Sequence, residues 1–491
     1  MSEKKQIIKD VFKLTSARYL SQGLGFFTSI AMRRFLGPFY MGIWSLFRVV
    51  LDYCSYVLVG VNEGVCYIIP TLMGKNNKIE ENKVCDSSFN FIFFISLITS
   101  FIIIFVTIFL RNRFPIEVII GLFVLSVYLI LDRICGYYML LLRARKNFGI
   151  LSKSIIFDSV ANLILVFLLI RNFKIYGLYA SIVILSIINT IFIHSLAKYQ
   201  IRLNFKFDGI IKIIKCGLPI SLSGLLEGIL QSVDRIMIGK MIGVVAVGYY
   251  SIPIMTKSYI AQLSTFGTVL YPHLLEAYGK SENIDEIKKF VLVPPKVNAY
   301  LLPTLLGLIF FIAPLLIKTI LPKFIPGILA MQILLIDMYF RSFYPQAFHF
   351  MIALKKQIRT IPIIIGAIIL NIIGNYLLIK IGWGINGVAL ATSLVSMLIF
   401  LILQTYAMKH FAKPKEILSF ILKIFLPFVY SLVFLLLIDR FFTLSNIYIS
   451  TLLKCAVYIL ATLPLLFHIE QQTRIINIIF NIIKEKNKKH G

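Results

Sequence analysis

Apolar runs of about 20 residues recur along almost the whole chain, bounded by charged residues, glycine or proline. A helix of about 20 residues crosses the roughly 30 Å hydrocarbon layer of a bilayer. Because lipid offers no partner to unpaired backbone groups, and because the runs lack the alternation of membrane strands, they predict helices. With 59% apolar and only 15% charged residues, the sequence predicts an all-α polytopic membrane protein and excludes a soluble globular one.

The runs predict about 14 transmembrane helices. They cover residues 15–35, 41–69, 87–110, 116–141, 151–170, 176–197, 217–239, 247–273, 292–317, 326–353, 359–380, 384–408, 417–438 and 447–467. Roughly 30 Lys and Arg residues fall on one side and about 11 on the other, which predicts cytoplasmic termini by the positive-inside rule. The net charge of +28 is therefore a topology signal rather than a sign of nucleic-acid binding. Residues 3–14 and 474–488 are predicted to lie on the cytoplasmic leaflet as amphipathic helices.

An internal repeat divides the chain. Residues 36–45 align with 242–251 at an offset of 206, sharing two glycines and a serine, and two later matches follow in the same order at an offset of 210. This order predicts two six-helix lobes, 1–209 (spans 1–6) and 210–412 (spans 7–12). Residues 413–491 then hold spans 13 and 14 and a cytoplasmic tail. An even number of spans per lobe gives a parallel repeat about an axis along the membrane normal.

Basic residues lie inside the predicted spans, where a cation is costly unless it is paired or lines a wet cavity. They are Arg18, Arg48, Arg133, Arg235, Lys257, Arg341 and Lys454. Lys257 and Arg341 lie nearest mid-span, and Arg341 has Asp337 one turn away on the same helix. The others could reach headgroups or pair locally, and Lys454, outside the repeat, is interpreted as reaching the interface. The surplus predicts a passage for an anion.

Polar residues at helical spacing mark one face in each of the first two spans of both repeats. Span 1 carries Arg18, Gln22, Gly25, Ser29 and Arg33, span 2 carries Arg48, Asp52, Ser55 and Glu63, span 7 carries Ser223, Glu227, Gln231 and Asp234, and span 8 carries Lys257, Ser264, Thr268 and Tyr271. These faces predict a central cavity. Asp52, Glu63 and Glu227 are its candidates for coupling to a proton or sodium gradient. No cofactor or metal site is predicted, since neither the six cysteines nor the six histidines show ligand spacing.

Residues 34–45, the segment Asp234-Arg235-x-x-Ile238-Gly239, residues 248–251 and Leu270-Tyr271-Pro272 resemble polysaccharide-unit flippases. These are members of the multidrug/oligosaccharidyl-lipid/polysaccharide exporter superfamily. The resemblance implies a cavity lined by spans 1, 2, 7 and 8 in a bacterial cytoplasmic (inner) membrane. It also implies transfer of an undecaprenyl-pyrophosphate-linked repeat unit, such as O-antigen or capsule, to the outer leaflet. Phe39 departs from the family pattern, which has an acidic residue there.

The predicted substrate is an anion, and its cationic ligands would be Lys257, Arg341, Arg48, Arg133, Arg18 and Arg235. The predicted partners are the lipid-linked glycan, membrane lipids and a polysaccharide polymerase, with no nucleic acid. By analogy with related flippases, spans 13 and 14 could form a groove for the prenyl chain. A cation-coupled multidrug exporter and a peptidoglycan-precursor flippase remain as alternatives. Without a catalytic constellation, the chain is interpreted as a transporter and not as an enzyme.

Overall fold

The computed structural model describes residues 3–197, 199, 203–205, 207–263, 274, 278 and 283–473. Within these residues the regular structure is helical throughout, which confirms the predicted all-α class. The chain divides into two compact units, Met1–Ser251 and Ile252–Gly491. This division follows packing, whereas the lobes 1–209 and 210–412 and the segment 413–491 follow a sequence repeat, so those boundaries stay a prediction.

The first unit is built from helices. They are α1 (Glu3–Tyr56), α2 (Val61–Gly74), α3 (Lys78–Leu110), α4 (Ile116–Ala144), α5 (Phe148–Leu165), α6 (Arg171–Ala197) and α7 (Ile210–Met241), followed by α8 (Val244–Leu263), which begins in this unit. A π-helical stretch, Val166–Ile170, joins α5 to α6. Helix α1 packs along α5, α4 packs on α3 and α6, and α2 crosses α7.

The second unit contains a further set of helices. They are α9 (Ile284–Ile320), α10 (Ile328–Arg341), α11 (Tyr344–Ala353), α12 (Ile361–Lys380), α13 (Gly384–Met408), α14 (Pro414–Phe441) and α15 (Ile447–Thr473). Helix α10 packs along α13, and α9 packs on α14 and α15, the helices of predicted spans 13 and 14. The amphipathic segment 474–488 and span-8 residues Ser264, Thr268 and Tyr271 lie outside the described residues.

Among the described residues, ten helical segments are long and apolar enough to span a membrane, and a bent pair raises the number to 11. The protein is therefore a multi-pass membrane protein, but the predicted count of about 14 is not confirmed. One of the ten segments is Phe148–Ala197, with 50 residues. A straight helix of 50 residues would be roughly 75 Å long at 1.5 Å per residue, more than twice the hydrocarbon layer. Lys174, at φ 51°, interrupts its helical backbone.

The predicted span 41–69 is not continuous. Val59 and Gly60 adopt positive φ angles of 50° and 82°, and the axis bends by 51° between α1 and α2. Beyond the bend, the backbones of α2 and α7 touch. A Cβ on Gly217 would lie 1.8 Å from the Gly60 carbonyl oxygen, and one on Gly64 would lie 2.3 Å from the Ile213 carbonyl oxygen. Glycine is required here because only its missing side chain lets the helices approach so closely.

Gly217→Ala is expected to destabilise the protein by about 1–3 kcal/mol, because the added methyl group overpacks the crossing of α2 and α7. The change should appear as a lower unfolding temperature of the purified protein in detergent. Gly23→Ala on α1 is the matched control, since a Cβ there has nothing within 4 Å and alanine favours helix. Equal unfolding temperatures for the two variants would contradict the close crossing.

The two copies of the repeated glycine motif contact each other in the first unit. A Cβ on Gly42 would lie 2.0 Å from the Val244 carbonyl oxygen, and a Cβ on Gly248 would lie 1.8 Å from the Pro38 carbonyl oxygen. Gly42 and Gly248 are equivalent under the 206-residue offset, and so are Pro38 and Val244. The same contact is thus made twice with its roles exchanged, as in a two-fold interface. We call these two segments, 37–45 and 243–251, the glycine clasp.

Two arginines, one on α1 and one on α7, donate hydrogen bonds to the clasp. Arg33 donates a hydrogen bond to the Ser251 carbonyl oxygen at 3.0 Å, and Arg235 donates to the Ser45 carbonyl oxygen at 3.4 Å. Ser45 and Ser251 are again equivalent under the offset. Arg33 is only 7% exposed, because it packs against the second motif shortly before the helical backbone of α1 is interrupted at Gly37, where φ is 72°.

Candidate functional site

A polar groove of about 420 Å³ lies between the second half of α1 and the middle of α7. Its lining residues are Asp52, Tyr53, Ser55, Tyr56, Gly224, Glu227, Gly228, Gln231, Ser232 and Arg235. Asp52 and Ser55 come from the predicted polar face of span 2, and Glu227 and Gln231 come from that of span 7. The structure thus brings together two stripes that helical spacing had marked separately.

Two tyrosines of α1 fix the shape of this groove. The Tyr53 hydroxyl lies 2.7 Å from the Ser232 hydroxyl, and the Tyr56 hydroxyl donates to the Gly224 carbonyl oxygen at 2.9 Å. Gly228 makes room for the second ring, since a Cβ there would lie 2.4 Å from the Tyr56 oxygen. Their apolar rings and polar tips suit them to a wall between lipid and a wet groove.

The charges of the groove come from one arginine and two carboxylates. An Arg235 terminal nitrogen lies 3.6 Å from an Asp52 carboxylate oxygen, and the Asp52 side chain is 51% exposed against 12% for Arg235. On α7, Gln231 donates to Glu227 at 2.9 Å. Arg48, one turn before Asp52, is exposed and close enough to Arg235 to interact with it electrostatically. The groove therefore holds charges of both signs, with the arginine held in place and one carboxylate accessible.

Asp234 precedes Arg235 in the sequence, which left local pairing of the two open as one alternative. In the structure Asp234 is buried and accepts a hydrogen bond from the Tyr250 hydroxyl at 2.9 Å, whereas Arg235 reaches Asp52 on α1. Adjacent residues on a helix point in different directions. The partner of Arg235 therefore comes from another helix.

A buried ion pair joins α8 and α10 in the second unit. The Lys257 ammonium lies 2.7 Å from an Asp337 carboxylate oxygen, with side-chain exposures of 20% and 0%. Ser396 of α13 donates a hydrogen bond to the other carboxylate oxygen. The spacing in the sequence suggested Arg341 as the partner of Asp337, because the two residues are one helical turn apart. Sequence spacing did not reveal the pairing of Lys257 with Asp337, since this contact links two different helices.

Other candidate cations lie elsewhere. Arg341, in the second unit, sits with its guanidinium 5.7 Å from the centre of the Tyr344 ring. Arg18 is exposed on α1 and Arg133 is half-buried on α4, and neither lines the polar groove. Lys454 lies 2.6 Å from an Asp439 carboxylate oxygen, so it has a partner in the α14–α15 hairpin.

Glu63, a candidate for ion coupling, is half-buried in the first turn of α2, beyond the bend after α1, and does not line the groove. Asp52 and Glu227, the other two candidates, do line it. Among the described residues, no group of three or more His, Cys, Asp or Glu side chains could hold a metal ion.

A second cavity, of about 350 Å³ and mainly apolar, lies among α9, α10, α14 and α15, and its polar lining residues include Gln332, Ser431 and Asp439. Its wall includes Leu306, Phe310, Leu329, Ile333, Leu335, Ile336, Phe428, Leu432, Leu435 and Leu436. Tyr339 and Tyr458 also line it, and their hydroxyls donate to the carbonyl oxygens of Ile424 at 2.7 Å and Pro303 at 2.9 Å. With these hydroxyls satisfied, the groove presents mainly carbon to any occupant.

Solved structures share this multi-pass helical fold. The lipid II flippase MurJ, in an inward closed conformation, matches with a TM-score of 0.70 at 17% identity, covering 94% of this chain and 99% of that one. An inward-facing MATE-family multidrug resistance transporter of the MOP superfamily matches at 0.66 and 16%, covering 81% and 95%. A MOP-superfamily transporter from Pyrococcus furiosus, described as having a binding pocket of reverse polarity, matches at 0.58 and 16%, covering 82% and 95%.

The sequence itself identifies the family. A protein-family model described as "Polysaccharide biosynthesis protein" matches residues 31–323, which is more than half of the chain. The chain therefore belongs to this polysaccharide biosynthesis family, and the resemblance noted at residues 34–45 and 234–272 is confirmed. No sequence among the curated proteins matches the chain.

Proposed function

We propose that the protein is a flippase that moves an undecaprenyl-pyrophosphate-linked oligosaccharide repeat unit from the inner to the outer leaflet of a bacterial cytoplasmic membrane. An O-antigen or capsule unit is the proposed cargo, and both termini are proposed to be cytoplasmic. Membership of the polysaccharide biosynthesis family over residues 31–323 carries the proposal. The fold shared with a lipid II flippase and with multidrug transporters supports it.

The proposed ligands of the pyrophosphate are the cations inside the spans, namely Lys257, Arg341, Arg48, Arg133, Arg18 and Arg235. Each can replace part of the hydration of the phosphates by charge-assisted hydrogen bonds. Arg235 has the best support, because it lines the polar groove with its side chain already fixed. Asp52, Glu227 and Glu63 are proposed to serve a proton or sodium gradient, and the first two share that groove.

The apolar groove of the second unit supports the proposal that the prenyl chain binds there. It is lined by α14 and α15 together with α9 and α10, and burying apolar chain there gains about 0.8 kcal/mol per CH₂ only relative to water. The tail can therefore exchange between bilayer and groove at little cost while the glycan crosses. Transport by alternating access makes and breaks no covalent bond. A polysaccharide polymerase is proposed to use the exported unit.

Deleting the gene in its own host is expected to leave the undecaprenyl-linked repeat unit on the inner leaflet, because its sugars cannot cross the hydrocarbon layer unaided. Mass analysis of lipid-linked intermediates, with a membrane-impermeant glycan label to report the leaflet, measures this. Restoring the gene is the control. Normal labelling from outside in the deletion strain would contradict the proposal.

A peptidoglycan-precursor flippase is the second candidate, and the shared fold of the lipid II flippase favours it. Expression of this protein in a strain depleted of its own lipid II flippase separates the two. We expect no rescue of growth, whereas rescue would favour the second candidate. A cation-coupled multidrug exporter would instead raise resistance to cationic drugs, and we expect no such change.

A further inference from the structure

The buried pair of Lys257 and Asp337 differs from two other ion pairs among the described residues of the second unit. Its carboxylate is fully buried, whereas the acids of the Lys288–Asp285 and Lys454–Asp439 pairs are 71% and 49% exposed. Ser396 adds one hydrogen bond to Asp337, and α13 (Gly384–Met408), which carries Ser396, has no charged residue in its sequence. The described polar contacts of the Asp337 carboxylate are therefore one ammonium group and one hydroxyl.

The two members of this pair differ in access. Asp337 is fully buried, while a fifth of the Lys257 side chain is exposed. An anion arriving from a wet region would meet Lys257 first. Lysine is suited to such an exchange because its ammonium is a compact charge on a flexible stem and can turn between acceptors.

An anion that draws Lys257 away would leave Asp337 as an uncompensated buried carboxylate. Such a group is strongly disfavoured in low dielectric, and taking up a proton removes its charge. The other ionisable groups near it are Arg341, one turn later on α10, and Tyr344 at the start of α11. Tyrosine is neutral at ordinary pH, so neither Tyr344 nor a permanently charged arginine can supply the exchange.

We propose that the Lys257–Asp337 pair couples transport to protons: the pyrophosphate of the substrate takes Lys257 from Asp337, and Asp337 takes up one proton in return. The proton comes from water and forms an O–H bond on the carboxylate, while Lys257 stays an ammonium ion. Asp337, Lys257 and Arg341 then change in sum from +1 to +2, which matches the two charges of a pyrophosphate diester. When the substrate leaves, Lys257 returns and the proton is released.

This inference rests on the proposed function, and binding of a prenyl pyrophosphate can test the two separately. The full-length protein in lipid nanodiscs is mixed with farnesyl pyrophosphate in weak buffer containing a pH indicator, at a pH where the probe is fully ionised. We expect uptake of about one proton per bound probe. By linkage, the apparent affinity for the probe should fall about tenfold for each unit by which the pH rises.

Asp337→Asn is expected to bind the probe at least as tightly as the wild type, with proton uptake reduced at least tenfold and affinity independent of pH. Asp285→Asn is the matched control, because its carboxylate pairs with Lys288 at 2.8 Å but is exposed, and it should behave like the wild type. If Asp337→Asn does not fold, the double variant Lys257→Gln, Asp337→Asn removes both charges of the pair. It should bind the probe more weakly, because Lys257 is a proposed ligand, and the probe that binds should cause no proton uptake.

Three results would overturn the inference while leaving the flippase proposal intact. They are wild-type binding without proton uptake, uptake that persists in the Asp337 variants, and binding that depends on sodium instead of pH. Absence of any binding of the prenyl pyrophosphate by the wild type would count against the proposed substrate class itself.

Discussion

Lys257→Gln is expected to lower the free energy of unfolding by about 3–5 kcal/mol, because it leaves the fully buried carboxylate of Asp337 without its counter-ion. Glutamine keeps much of the length of the lysine side chain, so the loss measures charge rather than packing. Unfolding of the purified protein in detergent at neutral pH, followed by loss of helical signal with denaturant, gives the number.

The double variant Lys257→Met, Asp337→Leu separates charge from fold. Replacing a buried pair by apolar residues of similar size is often neutral or stabilising, so this variant should recover most of the lost stability. Lys288 forms an exposed pair with Asp285 at a similar nitrogen–oxygen distance, 2.8 Å. Lys288→Gln should change the free energy of unfolding by no more than about 1 kcal/mol. A double variant as unstable as the single one would show that Asp337 is needed for some other contact.

Arg235→Gln is expected to reduce export of the lipid-linked unit by about 10- to 150-fold, which corresponds to losing one charge-assisted hydrogen bond of about 1.5–3 kcal/mol. Arg235 is chosen because it lines the polar groove and is held by Asp52 and the Ser45 carbonyl oxygen. The outer-leaflet fraction of the repeat unit, measured at matched protein levels, is the readout.

Two controls frame the Arg235 result. Arg111→Gln removes an exposed arginine from the turn after α3 and should leave export unchanged. Arg235→Lys keeps the charge but not the fixed planar geometry, so partial export is expected. Normal export by Arg235→Gln would remove Arg235 from the substrate path and leave the groove without its central cation.

The part of the fold that depends on local pattern could be predicted from the sequence. Apolar runs predicted an all-α membrane protein, and polar residues spaced along spans 2 and 7 predicted a shared polar site. Asp52, Ser55, Glu227 and Gln231 of these two faces do line one groove. Helical periodicity sufficed here because it depends only on the turn of one helix.

The partners of the charged residues could not be predicted in the same way. Local spacing suggested that Arg235 pairs with Asp234 and that Asp337 pairs with Arg341. In the structure, Arg235 pairs with Asp52, and Asp337 pairs with Lys257. The bend at Gly60 was also missed, because it comes with the close crossing of α2 over α7 and not with any proline. Contacts between helices depend on packing angles, which a single sequence does not contain.

The glycine clasp bears on the origin of the chain. A contact in which Gly42 meets Val244 while Gly248 meets Pro38 is the contact expected on the axis of a homodimer of identical six-span chains. In such an ancestor one glycine served both sides at once. After fusion of the two genes each glycine still faced the other copy's backbone, so a bulkier residue in either repeat would open one half of the contact. We therefore expect this segment to have diverged more slowly than the rest of the duplicated unit.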